Sequence, residues 1–162
     1  MIRKKSIKWM ALIIIVFAIG AYVSDRWFQL MLIQGSSMEP AYHNLQLVVL
    51  EKDIETSSIG AGDVIAFWCD GFDTVLVKRV VALSGQKVAV CDSTLYIDGT
   101  PSEYYNTGAF TYAGLLAEPI ALGKDEYIVI GDNVAESKDS RHEQVGIVEY
   151  QDIIGKILTK HD

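Results

Sequence analysis

Residues 63–83, DVIAFWCDGFDTVLVKRVVAL, contain two runs of apolar and β-branched residues, 63–68 and 74–83. Residues of this kind favour β-strands. Two adjacent cations, Lys78 and Arg79, interrupt the second run. Because successive residues of a strand face opposite ways, one of these side chains should point outward and the other toward the core or a cleft.

Similar runs recur on both sides of this segment, and turn signals separate most of them. Asp98-Gly99 is a hairpin signal, and Gly62-Asp63, Ser84-Gly85 and Gly131-Asp132-Asn133 are typical of turns. Many short strands without long amphipathic helices predict a mainly β protein, with one antiparallel, partly closed β domain over residues 29–162. Residues 102–122, rich in Tyr, Gly, Ala and Thr, are expected to form a loop or a short appended hairpin, as a flap facing substrate or membrane. The remaining apolar runs are residues 30–33, 45–50, 87–91, 94–97, 126–130 and 153–158.

The first 28 residues differ from the rest of the chain. Arg3, Lys4, Lys5 and Lys8 precede the uncharged run WMALIIIVFAIGAYV at residues 9–23. We expect residues 1–28 to form a basic cytoplasmic tail and a single transmembrane helix, with the body on the extracytoplasmic side of the cell membrane. Because the run is short and ends in small residues, a cleavable signal peptide is the alternative.

Charge and composition exclude some partners. Four of the 14 Lys and Arg residues precede the apolar run, which leaves 10 against 21 acidic residues, a net −11. So acidic a body repels phosphate backbones, and nucleic acid is not an expected partner. The scattered histidines, His43, His142 and His161, imply no metal site, and no cofactor is implied. Cys69 and Cys91 could form a disulfide after export, or remain two buried thiols.

A candidate nucleophile lies in the segment QGSSMEP at residues 34–40. This segment should form a tight exposed turn that presents the hydroxyl of Ser37, although a serine alone is equally typical of a polar turn. No Ser-His-Asp order is convincing, because His43 is only six residues past Ser37 and His161 lies near the terminus, which leaves His142 as the one candidate histidine. Lys78 is the better candidate base, because burial in a cleft would lower its pKa and let the neutral amine take the serine proton. The alternative is a solvated or paired surface cation.

The polar stretch at residues 131–141, GDNVAESKDSR, is a candidate support for such a pair. Ser137 could orient the lysine amine through a hydrogen bond, while Asp139 and Arg141 could pair and stiffen the loop. In isolation the same stretch would fit a solvated loop.

These three segments together resemble the bacterial type I signal peptidases, a family of serine proteases with a Ser-Lys dyad. The matching motifs are Ser37-Met38-Glu39-Pro40, Lys78-Arg79-Val80 after Gly62-Asp63-Val64-Ile65-Ala66-Phe67, Gly131-Asp132-Asn133 and Ser137-Lys138-Asp139-Ser140-Arg141. Three ordered motifs are far more specific than one. Gly35 stands where some members carry an oxyanion-binding serine, which implies that the Ser37 backbone N–H serves that purpose.

The resemblance implies a monomeric membrane enzyme that removes signal peptides from secretory preproteins after small-x-small motifs, through an acyl-enzyme. Ser37 is the implied nucleophile and Lys78 the implied general base. The substrate is expected to bind as an extended strand, and an apolar rim with Trp27, Phe28 and Met31 is expected to meet the bilayer. The alternatives are a dedicated peptidase for a few substrates such as pilin-like or conjugation proteins, or an inactive membrane-tethered binding protein.

Overall fold

The computed structural model describes residues 9–10, 12–16, 20 and 27–158. Residues 9–10, 12–16 and 20 are helical, and the strands begin at residue 28. No helix within these described ranges has the length and apolar character needed to cross a membrane. Most of the predicted anchor, residues 1–28, lies outside the described residues, so the anchor stays a prediction.

The described residues form two antiparallel sheets. The larger sheet has the strand order β1-β2-β11-β3-β4-β9-β10, and the smaller one has the order β7-β6-β5-β8. The predicted mainly β, antiparallel architecture is therefore confirmed. The strands are β1 Phe28–Leu32, β2 Leu47–Glu51, β3 Val64–Cys69, β4 Thr74–Ala82, β5 Lys87–Cys91, β6 Thr94–Ile97, β7 Thr100–Pro101, β8 Ile120–Ala121, β9 Glu126–Ile130, β10 Val148–Glu149 and β11 Ile153–Ile157. Four 3₁₀ helices lie at Thr56–Ser58, Asp70–Phe72, Gly114–Ala117 and Tyr150–Asp152.

Each apolar run predicted for residues 29–162 overlaps a strand, but three strands of two residues each, β7, β8 and β10, were not predicted. A pair of residues is too short to show an alternating pattern. The order of the larger sheet is linear, with β1 and β10 at its edges, and its expected partial closure stays a prediction.

The hairpin of β3 and β4 forms the centre of the larger sheet. Ile65 lies opposite Lys78, and Val64 lies opposite Arg79. All of β3 except Trp68 is buried, because residues on both faces of this central strand are covered. Lys78 is also buried, with 3% of its surface exposed, while Arg79 on the opposite face is only partly buried. The two cations therefore face opposite ways, as predicted, and Lys78 is the buried one.

Two turns of two residues show how backbone chemistry sets the register of the smaller sheet. Asp98 and Gly99 have φ of 51° and 79° and join β6 to β7, as their sequence predicts. Asp92 and Ser93 have φ of 47° and 59° and join β5 to β6 in the same way. Because the second turn contains no glycine, it was not predicted from the sequence.

The segment 102–122 is neither a free loop nor a hairpin. It contains the 3₁₀ helix Gly114–Ala117 and strand β8, which pairs with β5. Phe110 and Leu116 of this segment are buried in a core cluster with side chains from β4, β5 and β9. The segment is thus integrated into the fold, and the described residues that line the cleft at Ser37 include none of it.

The two cysteines are not bonded to each other. Cys69 is buried and donates its thiol hydrogen to the Gln144 carbonyl oxygen at 3.3 Å, whereas Cys91 is exposed. Of the alternatives left open by the sequence, two free thiols is the one observed, with only Cys69 buried.

Candidate active site

The turn that carries Ser37 is held by its own backbone and by a buried methionine. The Glu39 N–H donates to the Ser36 carbonyl oxygen at 3.1 Å, and Met38 is almost fully buried in the cluster beneath the turn. Gly35 has φ of 90°, which favours glycine, and its N–H donates to Asn44 Oδ1 at 2.9 Å. The turn is therefore anchored on both sides of Ser37.

The structure brings Ser37 and Lys78 together. Lys78 Nζ lies 2.8 Å from Ser37 Oγ and 2.9 Å from the Val77 carbonyl oxygen, to which it donates. These residues are 41 positions apart in the sequence, and the contact joins the turn after β1 to the middle of β4. A distance of 2.8 Å is within the range for direct proton transfer.

Burial changes the protonation of the lysine. It lowers the pKa of Lys78 from 10.5 to about 8, while the negative charges of Asp139 and Asp132 oppose this effect. The cause is that a charged ammonium loses its hydration inside the protein. A substantial fraction of the amine is therefore neutral at mildly alkaline pH, and Ser37 can then donate its hydroxyl hydrogen to the nitrogen lone pair.

The turn after β9 holds the Ser37 turn from behind. The Asn133 N–H donates to the Ser37 carbonyl oxygen at 3.0 Å, and Asn133 Nδ2 donates to the Ser36 carbonyl oxygen at 3.2 Å. A Cβ atom on Gly131 would lie 2.5 Å from the Ser37 carbonyl oxygen and would collide with Ser137 Oγ. Only glycine permits this approach of the two turns.

Asp139 and Arg141 form a buried ion pair next to this turn. Arg141 Nε donates to Asp139 Oδ1 at 2.8 Å, and Arg141 NH2 donates to Asp139 Oδ2 at 2.9 Å. Asp139 Oδ2 also accepts the Gly131 N–H at 3.2 Å. The pair that the sequence led us to expect thus fixes the Gly131 turn, which in turn touches Ser37.

Ser137 lies in the same place without the expected hydrogen bond. Its Oγ is buried against Gly131 and has no hydrogen-bond partner among the described residues, so the bond to Lys78 is not formed. Buried hydroxyls in proteins nearly always have a partner. Ser137 therefore brings an unused donor and acceptor close to the Ser37 turn.

A second ion pair occupies the other face of β4. Arg79 donates to both carboxylate oxygens of Asp132, at 2.7 Å and 2.6 Å, and to the Gly62 carbonyl oxygen at 2.6 Å. The pKa of Arg79 is raised, chiefly by its hydrogen bond to Asp132. Each of the two carboxylates that act on Lys78 is thus paired with an arginine.

A cleft of about 340 Å³ opens at the Ser37–Lys78 pair. One wall is β1 and the residues that follow it, and the other wall is the first half of β4. β4 pairs with β9 only from Arg79 onward, so residues 74–77 have β3 as their one strand partner in the described part of the chain. The cleft therefore has a free strand edge beside the two reactive groups. Its lining consists of Met31, Leu32, Ile33, Gln34, Ser37, Met38, Trp68, Asp73, Thr74, Val75, Leu76, Val77 and Lys78.

Histidine and metal chemistry have no geometric support at this cleft. None of the described residues that line it is a histidine, and His142 instead stacks on Tyr112 with 5.2 Å between ring centroids. In the described ranges, no group of three or more His, Cys, Asp or Glu side chains could hold a metal ion.

Several residues of the site were not singled out from the sequence. Gly131 and Asn133 belong to a motif that was noticed, but their contacts with the Ser37 turn depend on a tertiary approach. Asn44 and Asp132 are ordinary polar residues of turns in the sequence. The Gly-Asp-Asn run after an apolar strand is the one local signal for Gly131, Asp132 and Asn133, and no such signal marks Asn44.

Comparison with known proteins shows which family this chain is similar to. The family model described as signal peptidase, peptidase S26, matches residues 6–161. A signal peptidase I P of Bacillus subtilis subsp. natto is 29% identical over 94% of this chain and 88% of its own length. A signal peptidase IB of Staphylococcus aureus strain COL is 29% identical over 96% of this chain and 88% of its own. A crystal structure of a signal peptidase I from Enterococcus faecalis V583 is 26% identical, with a TM-score of 0.49 over 62% of this chain and 97% of that one.

A β fold with a serine at a cleft is compatible with many hydrolases, but the family match over residues 6–161 is decisive. The chain belongs to the signal peptidase family, peptidase S26. It is accordingly an enzyme, a peptide hydrolase that removes signal peptides.

Proposed function

We propose that the protein is a membrane-bound endopeptidase that cuts preproteins after small-x-small motifs by means of a Ser37–Lys78 dyad. The observation that carries the proposal is the 2.8 Å distance between Lys78 Nζ and Ser37 Oγ. Burial of the amine is what gives this contact a chemical meaning, because it makes the neutral base accessible near physiological pH.

In the first half of the reaction, neutral Lys78 takes the hydroxyl proton of Ser37 while Oγ attacks the carbonyl carbon of the scissile bond. The lysine then gives this proton to the leaving amine, the C–N bond breaks, and the acyl group remains as an ester on Ser37. In the second half, Lys78 takes a proton from water, the resulting hydroxide attacks the ester, and the proton returns to Ser37 Oγ.

The oxyanion and the amine need hydrogen bonds during these steps. With Gly35 supplying no side chain, the backbone N–H of Ser37 is the proposed donor to the oxyanion. A neutral lysine has two N–H groups, and the Val77 carbonyl oxygen accepts one of them. We assign the unpartnered Ser137 hydroxyl as acceptor of the other, and the Asp139–Arg141 pair as the support that keeps the loop in place.

The cleft suits an extended peptide with small side chains. The free edge of residues 74–77 offers backbone groups to a substrate strand, and Val75, Val77 and Ile33 give the walls an apolar surface. We infer that the branched side chains on both walls leave little space for large substrate residues. This is the physical basis proposed for the small-x-small preference.

An exposed apolar surface supports placement at a bilayer. The outward faces of β1 and β2 present Phe28, Leu30, Leu32, Leu47 and Val49, which we call the β1–β2 apolar face. Leu30 lies opposite Val49, and Leu32 opposite Leu47, so the five side chains are contiguous. Trp27 is also exposed, as expected for a rim. Met31 was assigned to the rim wrongly, because the alternation of the strand turns it toward the core cluster and the cleft.

The test is cleavage of a preprotein with an Ala-x-Ala site by the full chain in detergent or lipid. Ser37→Ala and Lys78→Ala should each abolish cleavage after the last alanine. Ser36→Ala is the matched control, because its side chain is exposed on the same turn. It should retain wild-type activity.

The outcomes separate the remaining possibilities. Activity that survives Lys78→Ala would refute the dyad. A folded wild type that cuts no general preprotein but cuts a pilin-like or conjugation protein would be a dedicated peptidase. Binding of preproteins without any cleavage would support the inactive binding protein, although the presence of Ser37, Lys78 and Ser137 argues against it.

A further inference from the structure

Besides its ion pair with Asp139, Arg141 forms contacts with the segment 102–122. Arg141 NH1 donates to the Tyr112 carbonyl oxygen at 3.3 Å, and the Arg141 carbonyl oxygen accepts the Leu115 N–H at 2.9 Å. The guanidinium carbon lies 5.5 Å from the centre of the Phe110 ring, within the range of a cation–π contact. Both ends of the arginine are thus held by residues 110–115, which we call the Arg141 clamp.

Gly114 makes the closest approach within the clamp. Its φ is 55°, and a Cβ atom there would collide with the Arg141 carbonyl oxygen and lie 2.8 Å from the carbonyl carbon. These neighbours are backbone atoms, so they cannot move aside as a flexible side chain would. The contact requires glycine for conformation and for space.

The segment that carries the clamp also has anchors in the core. Phe110 and Leu116 are buried in the cluster formed with β4, β5 and β9. Phe110 also packs edge-on against Tyr105, with 5.3 Å between ring centroids. An element with its own core anchors can hold a loop in one arrangement.

We propose, on the basis of the function assigned above, that the Arg141 clamp is a positioning element of the Ser37–Lys78 centre. It holds Arg141 against Asp139 and so fixes the balance of charge around the Lys78 amine. Asp139 is fully buried, pairs with Arg141 and acts electrostatically on Lys78, so its effect on Lys78 depends on how well Arg141 compensates it.

Besides the Val77 carbonyl oxygen of β4, the groups that act on the Lys78 amine come from three parts of the chain. Asp139 and Asp132 belong to the stretch after β9, Cys69 belongs to β3, and Ser37 to the turn after β1. Asp132 keeps its own partner Arg79 when the clamp is loosened. Release of Arg141 should therefore change the effect of Asp139 on Lys78 and leave the effect of Asp132 unchanged. A less compensated Asp139 raises the pKa of Lys78, and entry of water at the loosened loop acts in the same direction.

The experiment compares Gly114→Ala with Gly108→Ala in the full-length enzyme. Gly108 is in the same segment with φ of 85°, but a Cβ atom there meets nothing within 4 Å, so it reproduces the backbone strain without the contact. Gly114→Ala should move the alkaline rise of kcat/KM upward by about one pH unit and lower kcat near neutral pH about tenfold, with KM little changed. Gly108→Ala should keep the wild-type profile.

Two further measurements keep the result decisive. Titration of the Lys78 ε-carbon by NMR, assigned with Lys78→Met, should show the same upward movement in Gly114→Ala, and it needs no catalysis. Phe110→Leu keeps an apolar side chain but removes the ring face, and it should give a smaller movement in the same direction if Gly114→Ala does not fold.

An unchanged Lys78 midpoint in the folded variants, with only the melting temperature lowered, would overturn the proposal and leave the clamp a purely structural element. A midpoint that moves in a protein that cleaves no preprotein would support the clamp and refute the proposed function instead. The two failures are therefore distinguishable.

Discussion

The Ser37 carbonyl oxygen accepts the backbone N–H of Asn133 at 3.0 Å, so the turn after β1 and the turn after β9 behave as one unit. Gly131 lies at the same junction, where its α-carbon faces the Ser37 carbonyl oxygen. Because the bond involves only backbone atoms, its geometry depends on how closely the two turns approach. The position of the Ser37 hydroxyl is thus set partly by residues almost a hundred positions away.

Gly131→Ala should separate the two turns and lower kcat by at least about a hundredfold, because a displacement of about 1 Å is sufficient for such a loss. The measurement is single-turnover cleavage of a preprotein by folded variants, with folding checked by circular dichroism. Gly60→Ala is the control, since a Cβ atom at Gly60 makes only an ordinary contact with Asp63 at 3.8 Å. Equal rates for both variants would show that the approach of the turns does not position Ser37.

The pH dependence of cleavage should follow the Lys78 amine. With a pKa of about 8, the neutral form is the minor one near neutral pH and dominates above about pH 9. We therefore expect kcat/KM to rise roughly tenfold per pH unit below the midpoint and to level off above it. A profile measured from about pH 6 to about pH 10 that is flat, or that falls with pH, would contradict a lysine base.

The buried Lys78 that is proposed to serve catalysis should lower the free energy of unfolding. Because the folded state lowers the pKa of Lys78 from 10.5 to about 8, the unfolded state binds the proton more tightly, and the ammonium disfavours folding by about 3 kcal/mol near neutral pH. Lys78→Met should consequently raise the free energy of unfolding by up to about 3 kcal/mol near neutral pH.

This advantage should shrink as the pH rises from about 8 toward about 10.5, because wild type gains stability wherever the unfolded state holds more protons. Urea unfolding at several pH values measures the difference between the two proteins. Lys87→Met, at an exposed position of β5, is the control and should leave the difference independent of pH. A destabilised Lys78→Met would mean that the buried amine is better satisfied than its surroundings indicate.

The β1–β2 apolar face should matter for substrates in a membrane and not for soluble peptides. Leu30→Ser combined with Leu47→Ser removes two exposed leucines that do not line the cleft. In vesicles, cleavage of a membrane-inserted preprotein should fall by at least about thirtyfold, since the two leucines together contribute about 2 to 4 kcal/mol when they enter an apolar phase. Cleavage of a short soluble peptide should not change.

Ile147→Ser is the control for this effect, because Ile147 is exposed next to β10 at the opposite edge of the sheet. If it reduces membrane cleavage as strongly as the double variant, the orientation proposed for the body is wrong. If the double variant also loses activity on the soluble peptide, the leucines act on the fold or the cleft.

The sequence was informative where a local rule fixes the structure. Alternation along β4 required Lys78 and Arg79 to face opposite ways, and Asp98-Gly99 required a tight hairpin. It could not decide which cation is buried, because that depends on where the Ser37 turn meets β4. The hydrogen bonds between residues 112–115 and Arg141 use backbone groups that every residue has, so no side-chain pattern predicts them. The Asp92-Ser93 turn was not predicted either, because Ser rarely adopts positive φ.

Strand β11 lies between β2 and β3 in the larger sheet, although it is the last of the described strands in sequence. The Ser37 turn follows β1 on one side of it, and Lys78 belongs to β4 on the other. During synthesis on the ribosome, these two halves have no strand to join them until residues 153–157 have left the exit tunnel. The last of the described strands to be synthesised therefore joins the half of the sheet that leads to Ser37 to the half that carries Lys78.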